Sequence, residues 1–327
     1  MARLYFSRTI RRLASDSGTI DRWLHRLEAQ TLSLTCHAFA SLPVQHASMI
    51  GDTLGRSLGP RLRQHEHVQR NLRLAFPDRD EAWVASTGRA IWGRIFATVA
   101  EYPHLPTIAG ERGNPRVEMV SHFDLGPAQR GEQRLMLVGM HQANWNVHAL
   151  AGQMAGLPVS VMFARRSNPR VEATVARYRD RMPCGFIKVT DGLRGVLAAI
   201  ERGDHVGMFV DGRHDGQPLL PFFGHPAPTT VWPARLALKL GMALVPVQLE
   251  RLPGARFRAT FHPPVPFDLG TRDPAQAALA MMLRLNGLFE QWIVARPDDW
   301  ICAKRRWPTE IWKLRRNELQ AAGRFRV

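Results

Sequence analysis

LMLVGMHQANWNVHALA, residues Leu135 to Ala151, is the stretch that decides the fold. Leu135, Leu137 and Val138 make a short apolar run suited to a buried strand, and Asn144 stands where it can cap a helix carrying Trp145, Val147 and Leu150. The stretch predicts a strand, a tight turn and a helix start, with His141 in the turn. In α/β proteins that place serves chemistry, because the strand end fixes the side chain and helix amides can hold an anion or oxyanion. A histidine in a turn is also commonly a hydrogen-bonded structural residue, so the stretch alone leaves both roles open.

On either side, apolar runs alternate with helical patterns. Val159 to Phe163, Phe186 to Val189, His205 to Val210, Ala243 to Leu249 and Arg256 to Phe261 read as further strands. Helices are predicted across Val171 to Arg181, from an Asp191 cap through Ile200 to a stop at Gly203, and over Trp232 to Leu240, after a proline-rich loop. A last helix opens with Asp273 as cap and Pro274 at its first position, and buries Met282, Leu285, Phe289, Trp292 and Ile293. Strands alternating with helices predict an α/β domain with a mixed, largely parallel sheet over residues 106–297.

Upstream, residues 1–105 read as a helical region. Arg3, Arg8, Arg11 and Arg12 sit among apolar residues, the composition of a segment lying on an acidic surface and equally of a solvated tail. Ile20, Trp23, Leu24 and Leu27 mark one amphipathic helix, and Val84, Ile91, Trp92, Ile95, Phe96 and Val99 another. Residues 31–58 hold Pro43, two histidines and an aspartate, which suits a membrane-dipping or packed hairpin better than a spanning segment. Residues 298–327 form a basic, tryptophan-rich C-terminal segment. There Lys304, Arg305, Arg306, Lys313, Arg315 and Arg316 interleave with Trp300, Trp307 and Trp312 in the manner of an interfacial anchor.

The net charge of +16 points to an anionic partner: lipid surface, nucleic acid or phosphorylated substrate. No nucleic-acid motif appears, and the basic residues cluster beside aromatics, so nucleic acid is the least favoured of these. Cys36, Cys184 and Cys302 show no ligand spacing and predict reduced thiols and no metal site. GxGxxG and GxxxxGK[ST] are both missing, which leaves nucleotide binding without motif support.

Four stretches together resemble the late acyltransferases of lipid A biosynthesis: NLRLAFPD (Asn71 to Asp78), GMHQANWN (Gly139 to Asn146), PFFGHPAPTTVWPARLALKLGMALVPV (Pro221 to Val247) and DDWICAKRRWP (Asp298 to Pro308). The resemblance implies a glycerophosphate acyltransferase-like α/β fold with a membrane-associating N-terminal region. It implies a peripheral or monotopic place on the cytoplasmic face of the bacterial inner membrane. The implied reaction moves a fatty acyl group from acyl carrier protein or coenzyme A to a hydroxyl of a lipid A precursor or related glycolipid, with the thioester as co-substrate and no cofactor.

The resemblance also makes His141 the general base of an HxxxxD/E block, but the fifth position here is Asn146. An amide oxygen can still orient an imidazole without supplying charge, which leaves two readings: an active enzyme, or a silent relative that binds glycolipid. A carboxylate from elsewhere would restore the charge. Asp211 is the first candidate because it ends the strand His205 to Val210 and so can share a rim with His141; Asp215 is the second. His148 reads as a packing residue before a proton relay. FVDGRHDG (Phe209 to Gly216) and ARRSNP (Ala164 to Pro169) resemble family loops that would place Arg213, and Arg165 or Arg166, near a phosphate, with Asn144 also in the pocket.

Overall fold

The computed structural model describes residues 18–110, 116–267 and 273–321. The basic segment at residues 1–15 lies outside them. Four helices come first, α1 (Gly18–Ala40), α2 (Val44–Leu58), α3 (His65–Ala75) and α4 (Glu81–Glu101), then a short α5 (Leu105–Gly110). Strands and helices alternate from there: β1 (Val117–Ser121), α6 (Gly126–Gln129), β2 (Leu135–Gly139), α7 (Val147–Met154), β3 (Val159–Phe163), α8 (Pro169–Arg179), β4 (Gly185–Lys188), α9 (Gly192–Glu201) and β5 (His205–Phe209). The remainder comprises the hairpin of β6 (Leu219–Phe222) and β7 (His225–Pro228), α10 (Trp232–Leu240), β8 (Ala243–Leu252), β9 (Arg256–Phe261), α11 (Pro274–Ala295) and α12 (Thr309–Ala321).

Seven strands form one sheet in the order β1-β9-β8-β2-β5-β3-β4. Every pair is parallel except β8 with β9. The expected mixed α/β fold with a largely parallel sheet is thus present. β2 lies in the middle with all its residues buried, which is why its sequence is a continuous apolar run rather than an alternating one. Its register with β5 pairs Gly139 with Phe209. His141 and Asp211 each lie two residues past that pair, so the two strands deliver them side by side at the same sheet edge.

The predicted strands recur within a few residues of their expected ends, whereas β1 and the β6–β7 hairpin were not expected. The hairpin falls in the proline-rich loop and sets Pro221 opposite Pro226. Proline cannot donate to a ladder, so such a sequence reads as a loop until its partner is known. Asp191 stands at the head of α9 but its side chain makes no capping bond there. Asp273, by contrast, accepts from the Ala275 backbone N–H as an N-cap should, at 2.9 Å.

Residues 31–58 resolve into the end of α1 and a helix packed on one face. Gly51 and Gly55 of α2, with Gly59 beyond its end, let that face approach α4 so closely that a Cβ at Gly55 would run into the Trp92 carbonyl. Met49, Leu54 and Leu58 of the same helix are exposed. No helix among the described residues is long and apolar enough to cross a membrane.

The C-terminal anchor expected from Trp300, Trp307 and Trp312 is overturned: all three are buried. They pack in the cluster that also takes Leu72 of α3, Ile91 of α4, Val138 of β2 and Phe289 of α11. Trp307 donates its indole N–H to the Phe222 carbonyl at 3.2 Å, so the polar end of the ring is satisfied inside the protein rather than at a headgroup. Arg306 is buried as well, donating to the Pro228 carbonyl and to Thr229 Oγ1 with its guanidinium over the Phe222 ring. Lys304, Arg305, Lys313 and Arg316 stay exposed.

Candidate active site

His141 Nδ1 lies 2.8 Å from Asp211 Oδ1. The imidazole is 40% exposed while the carboxylate is 9% exposed, so the acid is held inside and the ring faces outward. Trp145 and Phe209 flank the ring with centroids 5.7 and 4.8 Å away. Burial alone would raise the Asp211 carboxyl. The facing His141 ring, hydrogen bonds from its side chain and backbone, and nearby Arg306 together hold it below the ordinary carboxylate value. An ionised Asp211 accepts only, so the proton it receives is on Nδ1, and Nε2 is left as the basic nitrogen.

Asn146 does not take part in that pair. Its Nδ2 donates to Asn144 Oδ1 at 3.0 Å, and its backbone N–H donates to the same oxygen at 3.2 Å. The sequence placed Asn144 as a helix cap and in the pocket; the structure instead starts the helix beyond it and buries its side chain. α7 starts only at Val147, and Asn144 is fully buried with its Nδ2 donating to Glu101 Oε2 at 2.9 Å. A side chain with no exposed surface holds the loop rather than greeting a ligand.

The loop between β2 and α7 is pinned from below. Ala143 adopts φ of 49°, a left-handed conformation that costs a residue with a Cβ on the order of 1 kcal/mol. Its N–H donates to the Asp299 carbonyl at 2.9 Å and its carbonyl accepts from Thr98 at 3.1 Å. The His141 carbonyl accepts from the Ile301 N–H at 2.9 Å. Under these lies a buried ion pair, Glu101 with Arg251, in which Arg251 Nη2 donates to Glu101 Oε2 at 2.9 Å and Ser48 donates to Oε1 at 2.6 Å. Removing one member would strand the other charge in the core at a cost of about 3–5 kcal/mol. Sequence reasoning missed Glu101, Arg251 and Asp299: Glu101 and Arg251 lie far apart in the chain, and no local pattern announces that a charge is buried.

His148 packs edge-on to Phe209 with centroids 5.0 Å apart. Burial, with help from His141, pushes its pKa down to about 3, Asp211 opposing. Its ring is neutral near pH 7, in keeping with the packing role. Gly139 makes room for it, since a Cβ there would enter the imidazole.

Arg165 and Arg166 are exposed in the loop after β3, the strand on the far side of β5 from β2. They therefore leave the sheet at the edge that carries His141 and Asp211. Within ARRSNP, Asn168 caps α8 and donates to the His25 carbonyl and Glu28 of α1, at 3.0 and 2.8 Å. Arg213 is engaged by Asp215 at 2.5 Å and by the Trp307 carbonyl at 3.2 Å. Asp215 is thus exposed and paired with Arg213, and Asp211 is the carboxylate beside His141.

Comparison with curated proteins finds no match. The model of one family, described as bacterial lipid A biosynthesis acyltransferase, matches residues 30–309. That span takes in the paired strands β2 and β5, the loop beneath His141 and the hairpin wrapped by the C-terminal segment, and with it the chain belongs to the bacterial lipid A biosynthesis acyltransferase family.

Proposed function

We propose that the protein transfers a fatty acyl group from an acyl carrier protein or coenzyme A thioester to a hydroxyl of a lipid A precursor or related glycolipid, with His141 as general base. His141 Nε2 takes the proton of the acceptor hydroxyl as its oxygen attacks the thioester carbonyl. The tetrahedral intermediate collapses, the carbon–sulfur bond breaks, and the leaving thiolate takes the proton back from Nε2. Asp211 keeps Nδ1 protonated and stabilises the imidazolium formed in between. The observation that carries this reading is the 2.8 Å contact of His141 with a buried carboxylate that the motif position itself does not supply.

Arg165 and Arg166, exposed at the same edge, are proposed to bind phosphate on the acceptor or the carrier, and Arg213 to line the site from the β5 loop. An acidic carrier protein and an anionic leaflet, on the cytoplasmic face of an inner membrane, both suit a chain of net charge +16. The test is purified protein with an acyl thioester and a glycolipid acceptor, read by mass spectrometry. Added acyl mass is expected with wild type and not with His141→Ala. Transfer that survives that substitution, or is missing from the folded wild type, overturns the proposal.

A further inference from the structure

α3 turns a stripe toward the C-terminal segment: His67, Arg70, Asn71 and Leu74, spaced i, i+3, i+4 and i+7. At one end the stripe is closed. Leu74 is buried, and Asn71 donates to the Cys302 and Lys304 carbonyls at 2.8 and 2.7 Å. At the other it opens as a cleft, where Arg70 of the helix faces Arg305, Thr309 and Trp312. His67 stands one turn before Arg70, and Arg63 lies just ahead of the helix.

The charges at this mouth do not balance. Glu66 is the one carboxylate among the charged groups that reach His67, and it is paired with Arg70; the others are Arg63, Arg70 and Arg305. Arg305 donates to Thr309 Oγ1, a neutral acceptor, at 2.5 Å, and neither it nor Arg63 meets a carboxylate among the described residues. The Arg70 guanidinium stands over the Trp312 ring, 5.4 Å from its centroid, so its place is fixed. Two buried nitrogens, His67 Nδ1 and Arg70 Nε, find no hydrogen-bond partner among the described residues. Like charges drawn together repel and unpaired buried donors cost stability, and an anion at the mouth relieves both.

We infer that Arg63, His67, Arg70 and Arg305 form an anion site for a phosphate monoester, sharing no residue with the His141–Asp211 site. Such a group carries about −1.5 to −2 charge near pH 7 and offers three acceptor oxygens, which suits forked guanidiniums and an imidazole better than a singly charged carboxylate does. A soluble ester and a lipid headgroup present the same chemistry. Nothing in the inference depends on acyl transfer.

The NMR signal of the His67 ring, assigned by its loss in His67→Gln, reads this site alone, so phosphate held at Arg165 or Arg166 does not register. Burial, then Arg305, Arg70 and Arg63, hold the His67 pKa below its ordinary value, with Glu66 opposing. Titration with inorganic phosphate, against chloride at matched ionic strength, is expected to move the signal saturably and to raise that pKa by about half a unit or more, because the anion offsets the arginines. Arg305→Gln should weaken phosphate about tenfold, the loss of one charge-assisted hydrogen bond. Glu66→Gln removes the competing carboxylate and should tighten it about threefold, a gain that a misfolded variant cannot mimic. No saturable response, the same response to chloride, or an affinity unchanged in both variants overturns the inference. Sedimentation with phosphatidylcholine vesicles carrying phosphatidic acid, or an equal charge of phosphatidylserine, separates the two sources. A headgroup is the source if the variants shift phosphatidic acid binding in these same directions and leave phosphatidylserine binding alone; a soluble ester is the source if they shift inorganic phosphate only.

Discussion

Replacing Asp211 with asparagine isolates what a charge behind the imidazole contributes. The amide retains an oxygen that can accept from His141 Nδ1, so the ring keeps its place while the developing imidazolium loses its counter-charge. In a serine protease triad the same exchange costs about 10⁴ in turnover; with a thioester, a more reactive donor, a fall in kcat of about 10²–10⁴ is expected. Steady-state kinetics of Asp211→Asn against wild type decide it, and a kcat within a factor of about three would assign the acid a purely structural place. The same carboxyl sets a pH dependence. Held below its ordinary value in the folded state, it adds stability that is fully present above the unfolded carboxylate pKa of about 3.9 and is lost as pH falls through the lower folded value. Asp211→Asn should therefore unfold below the wild-type midpoint at pH 7, and the gap should narrow on acidification past about pH 4.

Glycine spacing in α2 has a consequence at the scale of the helix pair. A Cβ at Gly55 meets backbone of α4 rather than the end of a flexible side chain, so the two axes must separate. Gly55→Ala is expected to cost about 1–3 kcal/mol, a fall of several degrees in the unfolding midpoint, although alanine is the better helix former. A midpoint at or above wild type would show that the pair has slack. What the sequence reveals of its elements follows from how local each signal is. β2 and β5 are short apolar runs with turn residues behind them, and both were legible, as was Asp211 as the carboxylate sharing an edge with His141. The β6–β7 hairpin was hidden by its three prolines, and β1, with Glu118 and Ser121 on exposed positions, carries too little apolar pattern to separate it from loop. The Glu101–Arg251 pair was invisible because a buried charge looks in sequence like any surface charge, and only tertiary packing tells them apart.

Across the whole molecule, tryptophan is used in two opposite ways that composition cannot distinguish. Trp300, Trp307 and Trp312 lie in the core, whereas Trp23 of α1 is 60% exposed, with Leu34 of the same helix at 72% and Met49 of α2 at 60%. On the proposed membrane placement, an excess of 16 positive charges would supply long-range attraction to an anionic leaflet, about 1 kcal/mol for each basic residue that reaches it, and the exposed apolar side chains of the two helices would supply short-range insertion. The division of labour is testable by sedimentation with vesicles. Wild type is expected to bind vesicles rich in anionic lipid far better than zwitterionic ones, and to release as salt rises past about 0.15 M toward 1 M, where screening shortens to about 3 Å. Trp23→Glu and Leu34→Glu should weaken binding at every salt concentration without lowering the unfolding midpoint. Trp307→Ala should do the reverse: lose about 3–5 kcal/mol of stability and leave the binding of the remaining folded protein unchanged. Equal binding to zwitterionic vesicles, or insensitivity to both helix substitutions, would remove α1 and α2 from membrane attachment and leave their exposed residues to another partner.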